Sequence, residues 1–122
     1  MVAADIGKAD ECADFIARAS RYNLDFTPTA DYANGLHLSA YAGAWQGLVQ
    51  GLAGLRVDGD GLCFRPRLPP HWEAYRFTLY FRGQRLKITV PADGTIRVEC
   101  DGNELATQRG VDGRIHLPAP TT

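Results

Sequence analysis

Phe77-Thr78-Leu79-Tyr80-Phe81-Arg82-Gly83-Gln84-Arg85-Leu86-Lys87-Ile88-Thr89-Val90 is the stretch that decides the fold. Phe77, Leu79 and Phe81 alternate with Thr78, Tyr80 and Arg82. After Gly83-Gln84, a tight-turn signal, Leu86, Ile88 and Val90 alternate with Lys87 and Thr89. A period of two places every second side chain on one face, so each run predicts a strand with one buried and one solvated side. The two runs with the turn between them predict an antiparallel hairpin. Toward the C-terminus, Asp93-Gly94 is another hairpin signal and Ile96 to Cys100 a further strand. Asp101-Gly102-Asn103 turns the chain again, and the segment through Ile115-His116-Leu117-Pro118 is weaker strand. Toward the N-terminus, Pro66, Pro69 and Pro70 interrupt regular structure, Leu62-Cys63-Phe64 is a short strand, and Val57 to Gly61 reads as a turn. Five or six short strands with regular turns imply a thin antiparallel β-sandwich.

Before Arg56 the period lengthens. Ile6, Ala9, Ala13 and Ile16, with Cys12, Phe15, Ala19 and Tyr22, follow spacings of three and four, which predicts an amphipathic helix over 5–22. Asp5, Asp10, Glu11 and Asp14 fall in its early turns and Arg18 and Arg21 in its last, as the helix dipole favours. Pro28 opposes continuation, 23–35 is a linking loop, and 36–54 reads as a second helix. There Gly35, Ser39, Gly43, Gly47 and Gly51 recur every four residues and line one face. Glycine inside a helix costs about 1 kcal/mol relative to alanine, so the stripe implies close approach of another helix or a ligand. The other face, with Leu36, Leu48, Leu52 and Leu55 and nearby Trp45, supplies bulk. With no strongly polar side, this helix is expected to be central in its parent structure. The fold class is therefore α+β, with a helical part over 1–56 and a sandwich over 57–122.

The 122 residues carry 13 basic and 14 acidic side chains, and 45% are hydrophobic. These are globular values, and the net charge of −1 gives no reason to expect nucleic acid or an acidic membrane as partner. The longest apolar stretch, Leu36 to Leu55, is too polar to span a bilayer. The start of the chain has neither a basic nor an apolar signal region, so a cytoplasmic location is expected. Cys12, Cys63 and Cys100 are odd in number and contain no CxxC, which argues for buried free thiols over disulfides or zinc. Two helices cannot cover the faces of 36–54, and a thin sandwich is marginal alone, so the chain is expected to belong to something larger or to need a partner.

Residues 29–90 carry a resemblance. The run Thr29-Ala30-Asp31-Tyr32-Ala33-Asn34-Gly35-Leu36-His37-Leu38-Ser39-Ala40-Tyr41-Ala42-Gly43-Ala44-Trp45 is followed by Gly54-Leu55-Arg56 and Asp60-Gly61-Leu62-Cys63-Phe64-Arg65-Pro66-Arg67-Leu68-Pro69. Trp72, Phe77-Thr78-Leu79-Tyr80-Phe81-Arg82-Gly83 and Leu86-Lys87-Ile88-Thr89-Val90 complete it. In this order they resemble the C-terminal stretch of glycoside hydrolase family 65, which includes maltose, trehalose and kojibiose phosphorylases and some hydrolases. The resemblance implies that the two helices end an (α/α)6 catalytic barrel and that 57–122 is the C-terminal sandwich. It implies inverting cleavage of an α-linked disaccharide with inorganic phosphate as co-substrate and no other cofactor. The barrel's catalytic acid would lie outside this chain. Dimerisation is implied by the resemblance alone.

His37 is the principal candidate site residue. Free backbone N–H groups at a helix start favour anions, and a histidine there can donate to phosphate. The resemblance places the matching histidine in the phosphate pocket, with Gly35 beside it and Thr29 adding a hydroxyl. Read from the residues alone, His37 is more simply a satisfied structural histidine near a helix start. Asp5, Asp10, Glu11 and Asp14 read as a solvated helix start and none matches the family acid, so no catalytic residue and no metal ligand is assigned. His71 and His116 read as surface or edge residues. Arg65 and Arg67 flank Pro66, either as a polar loop or as partners of barrel carboxylates. Trp45 is expected in the core and Trp72 at the domain junction. Two further readings stay open: a non-catalytic β-sandwich with a structural or weak carbohydrate-binding role, and a truncated gene product. The isolated chain is expected to have no turnover.

Overall fold

The computed structural model describes residues 1–22, 24 and 37–119. The helix expected over 5–22 is two helices, α1 (Val2–Asp5) and α2 (Ala9–Arg21). The break is at Gly7, whose φ of +89° leaves the right-handed helical region. The Lys8 N–H then donates back to the Ala3 carbonyl at 2.8 Å, closing α1. In α2, Asp10 and Glu11 fill the first turn and Arg18 and Arg21 the last, as expected.

The second helix is α3 (Leu38–Gln46), which passes into a π turn over Gly47–Leu52. The Ala53 N–H donates to the Leu48 carbonyl at 2.9 Å, the wider spacing that defines such a turn. The glycine stripe has the expected function at two positions. A Cβ on Gly47 would lie 2.8 Å from Ile16 Cγ1, and one on Gly51 would lie 3.2 Å from Cys12 Sγ. The Cys12 thiol is 3.7 Å from the Gly47 carbonyl oxygen. Gly43 has open space instead. Leu38 is 71% and Trp45 49% exposed, because α2 covers one face of α3 and among the described residues no element covers the other. Trp45 is therefore not a core residue in this chain.

The remainder is eight strands: β1 (Arg56–Asp58), β2 (Gly61–Phe64), β3 (Ala74–Phe81), β4 (Gln84–Pro91), β5 (Arg97–Cys100), β6 (Asn103–Glu104), β7 (Gln108–Arg109) and β8 (Ile115–Leu117). They form two antiparallel sheets ordered β1-β2-β8-β7 and β3-β4-β5-β6. The count exceeds the expected five or six because β1, β6 and β7 are too short to show a period. Val57 and Asp58 belong to β1 rather than to a turn. The central hairpin turns on Arg82-Gly83, one residue earlier than read. Both have left-handed φ, 51° and 79°, the form of a two-residue turn whose twist matches the strands.

Register then fixes the core. Tyr75 faces Val90, Phe77 faces Ile88 and Leu79 faces Leu86, while Ile88 faces Val98 across the next ladder. In the other sheet Leu62 faces Leu117 and Phe64 faces Ile115. One apolar cluster joins these residues to Ala4, Cys12, Val49, Leu52 and Ala53 of the helical part. Backbone bonds stitch the same junction, from Arg65 N–H to the Ala53 carbonyl at 3.0 Å and from Arg67 N–H to the Leu52 carbonyl at 2.7 Å. Trp72 packs edge-on to Tyr75 at this boundary, with ring centroids 6.0 Å apart. All three cysteines are free; Cys12 and Cys63 are buried, whereas Cys100 is only half-buried. Among the described residues no helix is long and apolar enough to cross a membrane.

Candidate functional site

His37 stands immediately before α3 in a non-helical conformation, φ −88° and ψ 75°, and its carbonyl accepts from the Ala40 N–H at 3.0 Å. The amides of a first helical turn have no acceptor within the helix, so the end of α3 presents donors with the positive end of the dipole. No side chain caps this end among the described residues. The His37 ring meets Tyr22, just past α2, edge-on, with centroids 4.7 Å apart and planes at 68°. That contact ties the end of α2 to the start of α3 and fixes the imidazole at the helix opening. Gly35 and Thr29 lie outside the described residues.

The acidic residues at the helix starts do not converge on this point. Glu11 pairs with Lys8 at 2.7 Å, Asp5 lies 3.6 Å from Arg56, and Asp10 and Asp14 are exposed. Among the described residues no set of histidine, cysteine and carboxylate side chains suits a metal ion. His71 is exposed, as expected. His116, read as a surface or edge residue, is half-buried between two carboxylates. Its Nδ1 is 3.4 Å from Asp58 and its Nε2 is 3.7 Å from Asp112, which links the β1–β2 and β7–β8 hairpins. Asp112 is held below the ordinary carboxylate range chiefly by the Arg114 backbone N–H, with smaller help from the Arg114 and His116 charges. Fifty-four residues separate Asp58 from Asp112, so no local spacing could announce this trio. Arg67 donates to the Asp5 carbonyl at 3.4 Å, and the Arg65 N–H donates to the Ala53 carbonyl at 3.0 Å, while its exposed side chain makes no hydrogen bond or ion pair among the described residues.

Comparison with known proteins agrees with this architecture. The profile of the glycosyl hydrolase family 65 C-terminal domain matches residues 55–116. An α,α-trehalose phosphorylase of Geobacillus stearothermophilus is 33% identical over 105 residues, 86% of this chain and 14% of that protein. A kojibiose phosphorylase of Escherichia coli K12 is 30% identical over 92 residues, 75% of this chain and 12% of that protein. A solved structure from the human microbiome, assigned as a kojibiose phosphorylase, superposes with a TM-score of 0.72 at 25% identity. The superposition covers 97% of this chain and 17% of that one. The chain thus spans about one-seventh of the length of the curated relatives it matches.

Proposed function

Because the chain belongs to glycosyl hydrolase family 65 and carries its C-terminal domain, we propose that it serves a phosphorylase or hydrolase of α-linked disaccharides, contributing a phosphate contact at His37. The observation that carries this reading is the position of His37 at the start of α3, beside the first-turn amides, with its imidazole packed edge-on against Tyr22. His37 and the first-turn amides would both donate to phosphate oxygens, with Gly35 giving the backbone close approach and Thr29 a hydroxyl. The general acid would come from barrel residues outside this chain, as would the sugar subsites. The half-exposed Trp45 and exposed Leu38 fit a helix that further barrel helices would cover.

A local probe tests the phosphate contact: the imidazole proton resonances of His37, followed by NMR as inorganic phosphate is added at fixed pH and ionic strength. They are expected to shift saturably. Absence of any shift would overturn the contact. The assignment of catalysis elsewhere has its own test, since release of glucose or glucose 1-phosphate from trehalose, maltose or kojibiose by the purified chain contradicts it. A purely carbohydrate-binding sandwich finds little support. Tyr80, 76% exposed on β3, is the one strongly exposed aromatic among the described strands, and a lone ring is not a stacking platform.

A further inference from the structure

A cavity of about 320 Å³ lies at the helix–sandwich junction, lined by Arg56, Arg65, Arg67, Arg114, Gly51, Gly54 and Asp5. It is far from His37: the 14 residues from His37 to Gly51 span roughly 21 Å at helical rise. Four arginines and a single acidic residue line it. The arginines come from separate segments: Arg56 from β1, Arg65 and Arg67 from the run after β2, and Arg114 from the β7–β8 hairpin. Each segment is fixed. Arg56 Nη1 donates to the carbonyls of Gln50 at 2.7 Å and Leu55 at 2.8 Å, at the end of the π turn. Cys63 is the register partner of Arg56, and Arg114 Nη1 lies over its sulfur at 3.9 Å, so the two arginines share one edge of the cavity. Gly54, with φ +61°, holds the floor against the Arg65 carbonyl, from which a Cβ would be only 2.8 Å away.

The positive charge is only partly answered from within. Arg56 Nη2 is 3.6 Å from Asp5, and Arg114 Nε is 3.4 Å from Asp112. Arg67 reaches the Asp5 backbone carbonyl at 3.4 Å, while the Arg65 guanidinium has no hydrogen-bond or ion-pair partner among the described residues. A folded chain concentrates four like charges around one concavity at a repulsive cost that a bound anion would relieve. A guanidinium fork matches carboxylate and phosphate alike, and several arginines around one concavity favour the more highly charged phosphate dianion.

We infer that this cavity is an anion site, separate from the α3 opening, that takes a phosphate dianion, either free or as a compact sugar monoester. Its volume lies at the small end of the range of about 300–1,000 Å³ typical of ligand pockets. Arg65 is the residue whose charge is most available to the ligand. Arg56 and Arg114 position the rim, and the glycines keep the floor at backbone level.

Calorimetric titration of the purified chain with inorganic phosphate and with glucose 1-phosphate, each against sodium chloride of matched ionic strength, tests this. Saturable binding is expected for at least one of them. Response to both means the phosphate group suffices, and response to glucose 1-phosphate alone means the ester is the ligand. Arg65→Gln is expected to weaken binding about tenfold, the loss of one charge-assisted contact, with a ligand-free Tm that is unchanged or slightly raised by relief of the repulsion. Arg114→Gln should weaken it as well, and His37→Ala should leave it intact. No binding beyond chloride overturns the site, as does binding that survives both arginine variants or is lost only with His37→Ala. These results are independent of the His37 resonances, so either site can fail alone.

Discussion

Replacement of Gly47 by alanine tests the helix contact on which the whole junction rests. A new Cβ there would lie 2.8 Å from Ile16 Cγ1 and 3.4 Å from Ile16 Cδ1. Carbon atoms pack at about 3.5–4.0 Å, so Ile16 or the π turn must retreat by nearly an ångström. Overpacking of this kind costs about 1–3 kcal/mol. Alanine gains about 0.5–1 kcal/mol over glycine from reduced backbone freedom. The net expectation is a loss of about 0.5–2 kcal/mol. Gly43 lies one turn earlier on the same stripe but has nothing within 4 Å of a Cβ, so Gly43→Ala keeps the gain and avoids the clash. Equilibrium urea unfolding of the two variants, at unchanged m, should therefore move the midpoint in opposite directions. If both variants are stabilised alike, α3 and α2 are not packed at Gly47 as described, and the explanation of the stripe fails.

Other substitutions probe the junction and the sandwich. Gly54→Ala must place a side chain at φ +61° against the Arg65 carbonyl and should lose more than about 2 kcal/mol. Gly94→Ala, at φ +71° with open space around it, should lose only about 1 kcal/mol in the same unfolding assay. Tyr75 carries a buried hydroxyl that approaches the Arg67 backbone without a well-formed hydrogen bond, and burial pushes its phenol well above the ordinary range. Tyr75→Phe should accordingly raise stability by about 0.5–1 kcal/mol, and a clear fall in Tm would show that the hydroxyl is bonded. Asp93, lowered chiefly by the Thr95 hydroxyl, and Asp112, lowered chiefly by the Arg114 N–H, have folded-state values below their unfolded ones. Their contribution is therefore present above the ordinary carboxylate range and lost as pH falls through the depressed values. A Tm profile below about pH 4 should be less steep in Asp112→Asn than in the native chain.

The sequence by itself determined the α+β division, the central hairpin and the strand faces, because these rest on spacings of two to four residues. Phe77, Leu79, Leu86, Ile88 and Val90 point one way in any strand that contains them, but the turn falls on Arg82-Gly83 and not on Gly83-Gln84, so the pairing of Leu79 with Leu86 was set by the folded hairpin. It also announced that residues 36–54 approach something closely, although not that Ile16 and Cys12 are the neighbours at Gly47 and Gly51. Gly7 defeated the reading of α1 and α2, since a glycine inside a helical pattern is either tolerated or a stop, and only its φ decides. Short β1, β6 and β7 carry too few residues for a period and exist because a neighbouring strand supplies their hydrogen bonds. His37 was legible as a helix opening, whereas its support on Tyr22 was not. The tertiary structure alone placed His116 between Asp58 and Asp112 and gathered Arg56, Arg65, Arg67 and Arg114 around one cavity. Those groupings join residues from separate segments of the chain, and only sheet order and the docking of the helices on the sandwich bring them within reach.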